Sequence, residues 1–400
     1  MKKIKVTLED LRTIEVNYNT KAIDAVGLIE NNINKILALK INNEIRRYEY
    51  PLVKDSYIEF ITFNSFDGYK IYSRTLKMIL YMALTKIFSN IQVNFISTIN
   101  SSQYFVIKNM KLTSKIIEKI KQKMQEYIDK DLPILKREVS FEEASILYTK
   151  SKSEDKLKNI SSRLKAHQTM YFCDDVYNNF YGVLAPSTGY ISLFDLIPYK
   201  EGALLVIPNK NMELNKQKAD SRLYDAFINF NALDNLLNIS SVKDLNDSIL
   251  NNNINNVIQT AEAIQDRNLI ELALDIEKKK NIKMILIAGP SSSGKTTFAQ
   301  KLGLQLKLSG FNPITISMDN YFVDRKLTPL GEDGKYDFDS IYSIDSKLFN
   351  TQMKNLIDGK KVILPKYEFT LGIKTFNQNS LKLKDKDILV IEGIHANAFV

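Results

Sequence analysis

One short segment of the sequence combines residue types that can hold a phosphate chain and a metal ion. It consists of Gly289, Pro290, Ser291, Ser292, Ser293, Gly294, Lys295, Thr296 and Thr297. In the pattern Gly-x-x-x-x-Gly-Lys-Thr the backbone N–H groups surround phosphate oxygens, the lysine neutralises charge between the β- and γ-phosphates, and the threonine hydroxyl can ligate Mg²⁺. The segment therefore predicts binding of a nucleoside triphosphate, ATP or GTP, with Mg²⁺. It also predicts transfer of the γ-phosphate, with Lys295 as a catalytic residue.

Two acidic residues further along the chain each stand at the end of an apolar run. Asp319 follows residues 315–318, and Glu392 follows residues 388–391. A carboxylate at such a strand end can hold the water around a metal ion or accept a proton from an attacking hydroxyl group. We therefore expect both acids near the phosphates, with Thr296 and Glu392 as the metal-associated groups. The alternative is that each acid only caps a loop.

The elements that flank the phosphate-binding segment are those that such a site requires. Residues 284–288 are an apolar run typical of a buried parallel strand, and residues 295–308 have helical spacing. Gly310 ends this helix, and residues 313–317 form the next strand. Strand, helix and strand in this order predict a parallel sheet with helices on both faces, whose strand ends converge on the ligand. A long helix over residues 254–279 precedes the unit.

The first 62 residues predict a small mixed fold. Strands are expected at residues 4–8, 14–16, 37–41 and 57–61, with a helix from Thr20 through Ile29 and a hairpin turn at Asn42-Asn43. The resulting order β-β-α-β-β is a β-grasp pattern.

The region that follows the first 62 residues predicts an α+β domain. Helices are expected at residues 71–88 and 112–128 and after Ser140, whose hydroxyl can cap a helix. Residues 180–206 predict a sheet, and residues 209–252 predict a connection with short helices.

Composition restricts the class of protein. The chain has 400 residues, a net charge of +9 and a single cysteine, Cys173. This length predicts roughly two to four domains, and one cysteine excludes an internal disulfide and a cysteine zinc cluster. No apolar run reaches the ~18–20 residues that span a bilayer, and the alternating pattern of the first residues does not predict a secretory signal, so we expect a cytoplasmic protein without a membrane partner. The charge leaves two explanations open, a polyanion such as RNA or lysines spread over solvated surfaces.

The C-terminal motifs together resemble the uridine kinase and phosphoribulokinase family in order and spacing. The matching segments are Gly289–Thr297, Asp319–Phe322, Tyr336–Asp339, Pro365–Phe369 and Glu392–Ile394. The resemblance implies that Asp319 is the general base, and that Tyr321, Phe322, Asp339 and Tyr367 bind the substrate.

Two departures from the kinase family stand near these motifs. Glu368 replaces an aspartate of the family pattern. Residues 370–374 stand where uridine kinases carry a histidine and an arginine that read the base, which leaves the acceptor open among nucleosides and sugars.

The N-terminal half resembles a different family. Residues 1–62 are similar to a TGS domain, through residues 39–44 and 50–52. Residues 64–206 resemble the editing-type domain of threonyl-tRNA synthetase, through residues 131–134, 141–144 and 186–191. The positions that carry metal ligands in that domain are here Arg74, Met78, Phe180 and Leu184. Because these are poor zinc ligands, we expect a scaffold or binding module without a metal-dependent hydrolytic site.

These interpretations combine into a domain prediction. The domains are a TGS-like β-grasp domain at 1–62, an editing-like domain without metal ligands at 63–208, a helical connector at 209–280 and a P-loop kinase-like domain at 281–400. The resulting fold class is multidomain, α+β followed by α/β.

The leading function is phosphorylation of a hydroxyl group of a small nucleoside- or sugar-like molecule by ATP or GTP. The alternative is a regulatory P-loop NTPase that senses RNA or a nucleotide through its N-terminal domains. The oligomeric state is open. A kinase of this family also has further strands after the Glu392 strand and a lid with phosphate-clamping arginines, so we expect this chain to be a fragment with slow turnover on its own.

Overall fold

The computed structural model describes residues 2–28, 30, 36–88, 91–161, 166–214, 221, 224–225, 228, 236–239, 241–279, 281–331 and 334–398. The chain divides into two compact units, Met1–Asn252 and Asn253–Val400. The architecture is a mixed α/β multidomain one, in agreement with the coarse prediction.

The first part of the N-terminal unit is a five-stranded sheet covered by one short helix. The strands are Lys3–Leu8, Thr13–Asn17, Ile36–Ile41, Glu44–Arg46 and Ser56–Thr62, the helix is Ala22–Gly27, and a two-stranded ladder joins Thr20–Lys21 to Pro51–Leu52. Lys3–Leu8 lies parallel to Ser56–Thr62, whereas the other strand pairs of the sheet are antiparallel. The predicted strands are confirmed. The predicted helix ends at Gly27, and Ile29 lies outside the described residues.

The second part of this unit contains a long helix, further helices and two sheets. The helices are Phe66–Ile87, Ser114–Asp129, Phe141–Lys150 and Glu154–Ser161. One sheet contains Leu135–Ser140, His167–Cys173 and Val176–Asn178, and the other contains Asp195–Tyr199, Gly202–Val206, Ser102–Ile107 and Val93–Ile99 in that spatial order.

Hydroxyl caps fix the beginnings of these helices. Ser65, Thr113 and Ser140 each accept a hydrogen bond from a backbone N–H of the first turn. The Ser140 cap was predicted, whereas the long helix begins five residues earlier than predicted, at Phe66. The Ser65 cap and Gly68, where an added Cβ would lie 1.8 Å from the Thr62 carbonyl oxygen, account for the earlier start.

The predicted sheet over residues 180–206 is wrong for its first part, because strands are found only from Asp195 onward. The backbone before this point bonds a loop instead of a strand. Ile134 donates to the Pro186 carbonyl at 2.8 Å, and the Thr188 hydroxyl accepts from the Leu132 N–H at 2.8 Å. The two segments that carry the synthetase resemblance therefore hold each other in place. After them, Val242–Leu250 is a short helix in the predicted connection.

The C-terminal unit is built around three parallel strands. Met284–Ala288 and Asn312–Ser317 both pair with the central strand Asp387–Gly393, all of whose residues are buried. Helices Ile254–Lys278 and Lys295–Leu308 pack on one face, and helix Ser346–Ile357 packs on the other. A hairpin of Val362–Glu368 and Ile373–Leu381 completes the unit. The predicted parallel sheet with helices on both faces is confirmed.

Candidate active site

The three parallel strands bring the predicted chemical groups to one edge of the sheet. Residue Glu392 of the central strand pairs with Ile287 on one side and with Ser317 on the other. The phosphate-binding segment begins one residue after Ala288, and Asp319 follows two residues after Ser317. Parallel pairing therefore places the loop and both carboxylates at the carboxyl edge, where ligands of such sheets bind.

The phosphate-binding segment has the backbone form of an anion cradle. Ser292 and Gly294 have φ values of 59° and 85°, and the helix Lys295–Leu308 begins directly afterwards. The first N–H groups of a helix have no partner within it and point toward a bound anion. The Lys295 ammonium group donates to the Pro290 carbonyl oxygen at 2.9 Å, so the side chain folds back over the loop. The arrangement suits the phosphates of a nucleotide.

Thr296 and Glu392 meet through their side chains. The Thr296 hydroxyl donates to Oε2 of Glu392 at 3.2 Å, and Glu392 is only 5% exposed. A hydroxyl and a carboxylate are oxygen ligands of the kind that Mg²⁺ prefers. These two residues could hold a magnesium ion, and they are the pair that the sequence predicted for it.

Asp319 lies at the same edge, in the short 3₁₀ turn Met318–Tyr321. Although the residue is largely exposed, partial desolvation of its carboxyl group raises the pKa, and the negative charge of Glu392 raises it further. The Lys295 ammonium group opposes this change. The effect of Glu392 and Lys295 on Asp319 indicates that the three groups share one electrostatic environment. A carboxylate with a raised pKa is a better proton acceptor.

Close packing fixes the turn that carries Asp319 against the Glu392 strand. A Cβ atom added at Gly393 would lie 2.7 Å from the Met318 Cβ, so only glycine permits this approach. Met318 itself is buried. The glycine after Glu392 is thus required by geometry at the point where the two acidic segments touch.

An aromatic cluster lies beside this edge and contains two of the predicted substrate-binding residues. Phe322 and Tyr367 have ring centroids 5.5 Å apart, and both rings also contact Phe369. Phe338, next to Asp339, packs against Phe322 at 5.8 Å. Phe369 is 58% exposed and Phe338 is 37% exposed, so the cluster presents ring surface to solvent.

The Tyr367 hydroxyl group is buried and has no hydrogen-bond partner among the described residues. A buried hydroxyl without a partner is costly, and a ligand can supply the missing partner. The Tyr367 hydroxyl is therefore the group of the cluster that is available to a hydrogen bond from a ligand. Its backbone is fixed by a hydrogen bond from its N–H to the Asn320 side chain at 3.3 Å.

Tyr321 lies elsewhere. It is fully buried, its hydroxyl donates to Oε1 of Gln352 at 2.8 Å, and its ring packs edge-on against Phe349. Burial raises the pKa of its hydroxyl group. In this structure Tyr321 joins the turn of Asp319 to the helix Ser346–Ile357 and does not line the aromatic surface.

Asp339 is exposed, and a residue that the sequence analysis did not assign contacts its backbone. The Nε2 atom of His395 lies 2.7 Å from the Asp339 carbonyl oxygen. His395 comes three residues after Glu392, and this position after a strand end was the available signal in the sequence.

The segment that replaces the base-reading residues of uridine kinases is partly structural. The Lys374 ammonium group lies 2.6 Å from Oδ2 of Asp345, and its side chain is only 12% exposed. Partial burial would raise the pKa of Asp345, but hydrogen bonds from Lys374 and from the Leu348 N–H outweigh it and lower the pKa. Lys374 therefore holds the Asp345 carboxylate, which caps the helix Ser346–Ile357 by accepting from the Leu348 N–H at 3.1 Å.

The four positions aligned with metal ligands in the N-terminal unit are packed. Met78 and Leu184 are fully buried, and Phe180 contacts Tyr171. The Arg74 guanidinium group lies against Gly182 and donates weakly to the Val183 carbonyl oxygen at 3.4 Å. Throughout the part of the chain that the structure describes, no group of three or more His, Cys, Asp or Glu residues could hold a metal ion. Within the same residues, no helix is long and apolar enough to cross a membrane.

Comparisons with known proteins match the two halves of the chain to two different families. The sequence model of the Phosphoribulokinase / Uridine kinase family matches residues 284–399. A solved structure described as a possible uridine kinase from Bacillus stearothermophilus is 25% identical, with a TM-score of 0.26, over 32% of this chain and 70% of that chain.

The N-terminal half is similar to threonine–tRNA ligases. The enzyme from Thermotoga petrophila is 30% identical over 49% of this chain, and the enzyme from Desulforamulus reducens is 29% identical over 35% of this chain. The chain spans 30% and 22% of the length of these two relatives. Residues 284–399 therefore form a domain that matches the phosphoribulokinase and uridine kinase family, in one chain with an N-terminal half similar to threonine–tRNA ligases.

Proposed function

We propose that the C-terminal domain, residues 281–400, transfers the γ-phosphate of ATP or GTP to a hydroxyl group of a nucleoside- or sugar-like small molecule. The observation that carries this proposal is the contact of the Thr296 hydroxyl with the buried Glu392 carboxylate, 3.2 Å apart, next to Asp319. A P-loop protein that only switches between nucleotide states needs the Thr296–Glu392 pair but no acceptor site. An acid with a raised pKa beside an aromatic surface supports an acceptor site as well.

The reaction uses each group in a defined way. Asp319 accepts the proton of the acceptor hydroxyl as its oxygen forms a bond to the γ-phosphorus, and the bond from that phosphorus to the β–γ bridging oxygen breaks. Lys295 and the N–H groups of the phosphate-binding segment stabilise the negative charge that develops on the departing diphosphate. Thr296 and Glu392 would hold Mg²⁺, which neutralises phosphate charge when bound. The products are the phosphorylated acceptor and the nucleoside diphosphate.

The aromatic cluster supports an acceptor with a flat or apolar face. The exposed rings of Phe338 and Phe369 can stack on a base or on the apolar face of a sugar. The Tyr367 hydroxyl would gain the hydrogen-bond partner that it lacks, and the exposed Asp339 carboxylate would accept hydrogen bonds from sugar hydroxyls. Because Lys374 is engaged by Asp345, uridine is one member of the test panel and is not favoured over other nucleosides.

The N-terminal half supports a separate proposal. Residues 1–62 are assigned as a TGS-like β-grasp domain, 63–208 as an editing-like domain that binds without hydrolysis, and 209–280 as a connector, in a chain that acts in the cytoplasm. The similarity to threonine–tRNA ligases over 49% of the chain favours an RNA contact in this half. It also supports the second candidate function, a P-loop regulator whose nucleotide turnover responds to RNA.

A phosphotransfer panel tests the leading proposal. Radiolabelled ATP or GTP is incubated with nucleosides and sugars, Mg²⁺ and either the parent chain or Asp319→Asn. We expect one acceptor class to be labelled, with a loss of about 10²–10⁴-fold in kcat for Asp319→Asn, which is the range of general base catalysis. Asp358→Asn is the matched control, because Asp358 is an exposed carboxylate at the far end of the helix Ser346–Ile357.

The same assay separates the two candidate functions. Labelling of an acceptor that survives Asp319→Asn would exclude Asp319 as the base. Nucleotide hydrolysis that appears only when RNA is added, with no labelled acceptor, would replace the kinase proposal by the regulatory one. Glu392→Gln tests the metal pair, and we expect it to raise the Mg²⁺ concentration needed for half-maximal rate.

A further inference from the structure

His395 lies where the two sides of the proposed acceptor site meet. It belongs to the short segment that follows the Glu392 strand, and its ring reaches the loop that carries Asp339. We propose that His395 is a positioning residue, which fixes the Asp339 loop against the Glu392 strand and so sets the affinity for the acceptor. This inference rests on the proposed kinase function for its kinetic part, and on the contact itself for the rest.

The chemistry of the contact fixes the state of the imidazole ring. A backbone carbonyl oxygen can only accept a hydrogen bond, and the His395 Nε2 atom lies 2.7 Å from that of Asp339. Nε2 must therefore carry the hydrogen. Both the neutral Nε2–H form and the imidazolium form satisfy this requirement, so the contact does not depend on the ring being neutral.

The histidine side of the contact is firmly anchored. The neighbouring Ala396 is fully buried in the core around the sheet, and the His395 carbonyl oxygen accepts from the Ala398 N–H at 2.9 Å. Before it, Gly393 packs tightly against Met318. The backbone of His395 is thus tied to the strand end that carries Glu392 and to the turn that carries Asp319.

The other side of the contact has a well-defined shape of its own. The Asp337 carboxylate accepts from the N–H groups of Asp339 and Ser340 at 3.0 and 3.1 Å, and the buried Ser343 hydroxyl donates to the Phe338 carbonyl oxygen at 2.9 Å. These bonds are internal to the loop. Among the residues that the structure describes, the His395 bond is the one hydrogen bond from residues 337–343 to residues 392–398.

The backbone contact with His395 contributes to the position of the Asp339 carboxylate. The residue is exposed, and within the described part of the chain its carboxylate makes no hydrogen bond or ion pair. The packing of Phe338 on Phe322 and the bond from the Val323 N–H to the Ser343 carbonyl oxygen hold this loop to the Asp319 side of the site. The His395 bond is the described hydrogen bond that holds it to the Glu392 strand end. Loss of the His395 bond should weaken acceptor binding, whereas the nucleotide site, held by Thr296 and Glu392, should be unaffected.

Steady-state kinetics of two variants test the proposal, one that removes the hydrogen-bond donor of His395 and one that replaces it. We expect His395→Ala to raise KM for the best acceptor by about three- to tenfold, the value of one hydrogen bond, with little change in kcat and in KM for ATP. His395→Gln can place an amide N–H near the position of Nε2 and should restore KM to within about twofold of the parent. His167→Gln is the matched control, because His167 is an exposed histidine in the other unit.

Nitrogen NMR of the full chain tests the contact without any assay of activity. The chain has two histidines, so the ring signals of His395 are those that remain in His167→Gln. We expect hydrogen on Nε2 of His395 over the whole pH range in which the protein is folded. This result would support the contact even if no acceptor is found, and then only the kinase proposal would fail.

Two results would overturn the inference. One is an Nδ1–H ring with a bare Nε2, since that form cannot donate to Asp339. The other is a folded His395→Ala variant whose KM for the acceptor equals that of the parent, when Asp339→Asn, made separately, does raise that KM. The second pair of variants separates a wrong role for His395 from a wrong role for Asp339.

Discussion

At the carboxyl edge of the C-terminal sheet, Thr296, Asp319 and Glu392 bring polar groups together, whereas the aligned site positions of the N-terminal unit are packed. Thr296 donates to Glu392, and Asp319 shares their environment. By contrast, Met78 and Leu184 are buried, and Arg74 lies against Gly182. Both regions resemble enzymes, but the four aligned positions of the N-terminal unit carry side chains that are poor zinc ligands.

The difference shows which parts of a resemblance are structural. In the N-terminal unit the retained segments 131–134 and 186–189 bond each other through Leu132, Ile134 and Thr188. These contacts hold the two segments together and do not involve the positions aligned with metal ligands. In the C-terminal unit the residues that carry the resemblance include those that would contact phosphate, metal and acceptor in the proposed phosphotransfer mechanism. We therefore interpret the first region as a binding module and the second as the catalytic part.

Replacement of the loop lysine should give the largest effect. We expect Lys295→Met to lower kcat by about 10²–10³-fold, because one charged donor to the developing phosphate charge is lost. Stability should change little, since among the described residues the ammonium group makes one hydrogen bond, to the Pro290 carbonyl oxygen. Steady-state phosphotransfer and thermal unfolding measure the two quantities.

Lys301→Met on the same helix is the control, because Lys301 pairs with Asp266 on the helix surface. It should keep the parent rate. A loss below about tenfold for Lys295→Met would remove the distinction between an active C-terminal edge and a packed N-terminal site.

Insertion of a metal ligand into the N-terminal unit should destabilise it. We expect Met78→His to lower the free energy of unfolding by about 2–4 kcal/mol, because a polar ring replaces a fully buried apolar side chain. Chemical denaturation with and without zinc measures the effect. Met78→Leu conserves the volume and should cost less than about 1.5 kcal/mol.

The expected result is that zinc does not restore the stability of Met78→His. Recovery of stability on addition of zinc would mean that the surrounding residues still form a metal site. The comparison between the two regions would then have to be withdrawn.

Removal of one hydroxyl group tests the structural role of the synthetase-like segments. The Thr188 hydroxyl donates to the Tyr127 carbonyl oxygen at 2.6 Å and accepts from the Leu132 N–H at 2.8 Å, in a fully buried position. We expect Thr188→Val to lower the free energy of unfolding by about 1–3 kcal/mol, because a buried N–H loses its partner. Denaturant unfolding measures it.

Phosphotransfer by Thr188→Val should match that of the parent. The exposed Thr149, whose hydroxyl donates to the Ser145 carbonyl oxygen of its own helix, is the control, and Thr149→Val should change stability by less than about 0.5 kcal/mol. Equal stability of the two variants would mean that the segments do not hold each other.

The local parts of the C-terminal unit were predictable from sequence. The strand Met284–Ala288 and the helix Lys295–Leu308 have the predicted bounds, because an apolar run, a glycine loop and a helix give strong local signals. The convergence of Asp319 and Glu392 followed from the rule for parallel strands.

Contacts between distant residues could not be predicted in the same way. The burial of Tyr321 against Gln352, the pairing of Lys374 with Asp345 and the contact of His395 with Asp339 all join segments far apart in the chain. The loop form of residues 186–189 likewise depends on a partner at 131–134. None of these has a periodic or local signal in the sequence.

The smallest expected effect concerns the pH dependence of Asp319, and its sign is opposite to that of a paired surface acid. Desolvation and the charge of Glu392 raise its pKa above the ordinary value of 3.8, so the folded state holds this proton more tightly than the unfolded state. The free energy of unfolding therefore decreases as pH rises from 3.8 through the raised pKa, and above it the destabilisation is complete. The rate of transfer should change in the opposite direction, because the base must be unprotonated, and its acidic limb should lie above that of an ordinary aspartate.

Asp319→Asn should thus be slightly more stable than the parent at pH 7 and equal to it below pH 3.8, while its phosphotransfer is lost. Because the exposed carboxylate is partly screened by solvent, we expect the gain to be below about 0.5 kcal/mol. Thermal unfolding of both proteins at several pH values measures it, with Asp358→Asn as the exposed control. A variant that is less stable at pH 7 would mean that the Asp319 carboxylate is held by favourable contacts, as in a structural cap. Asp319 would then belong with the packed positions of the N-terminal unit and not with the reactive edge.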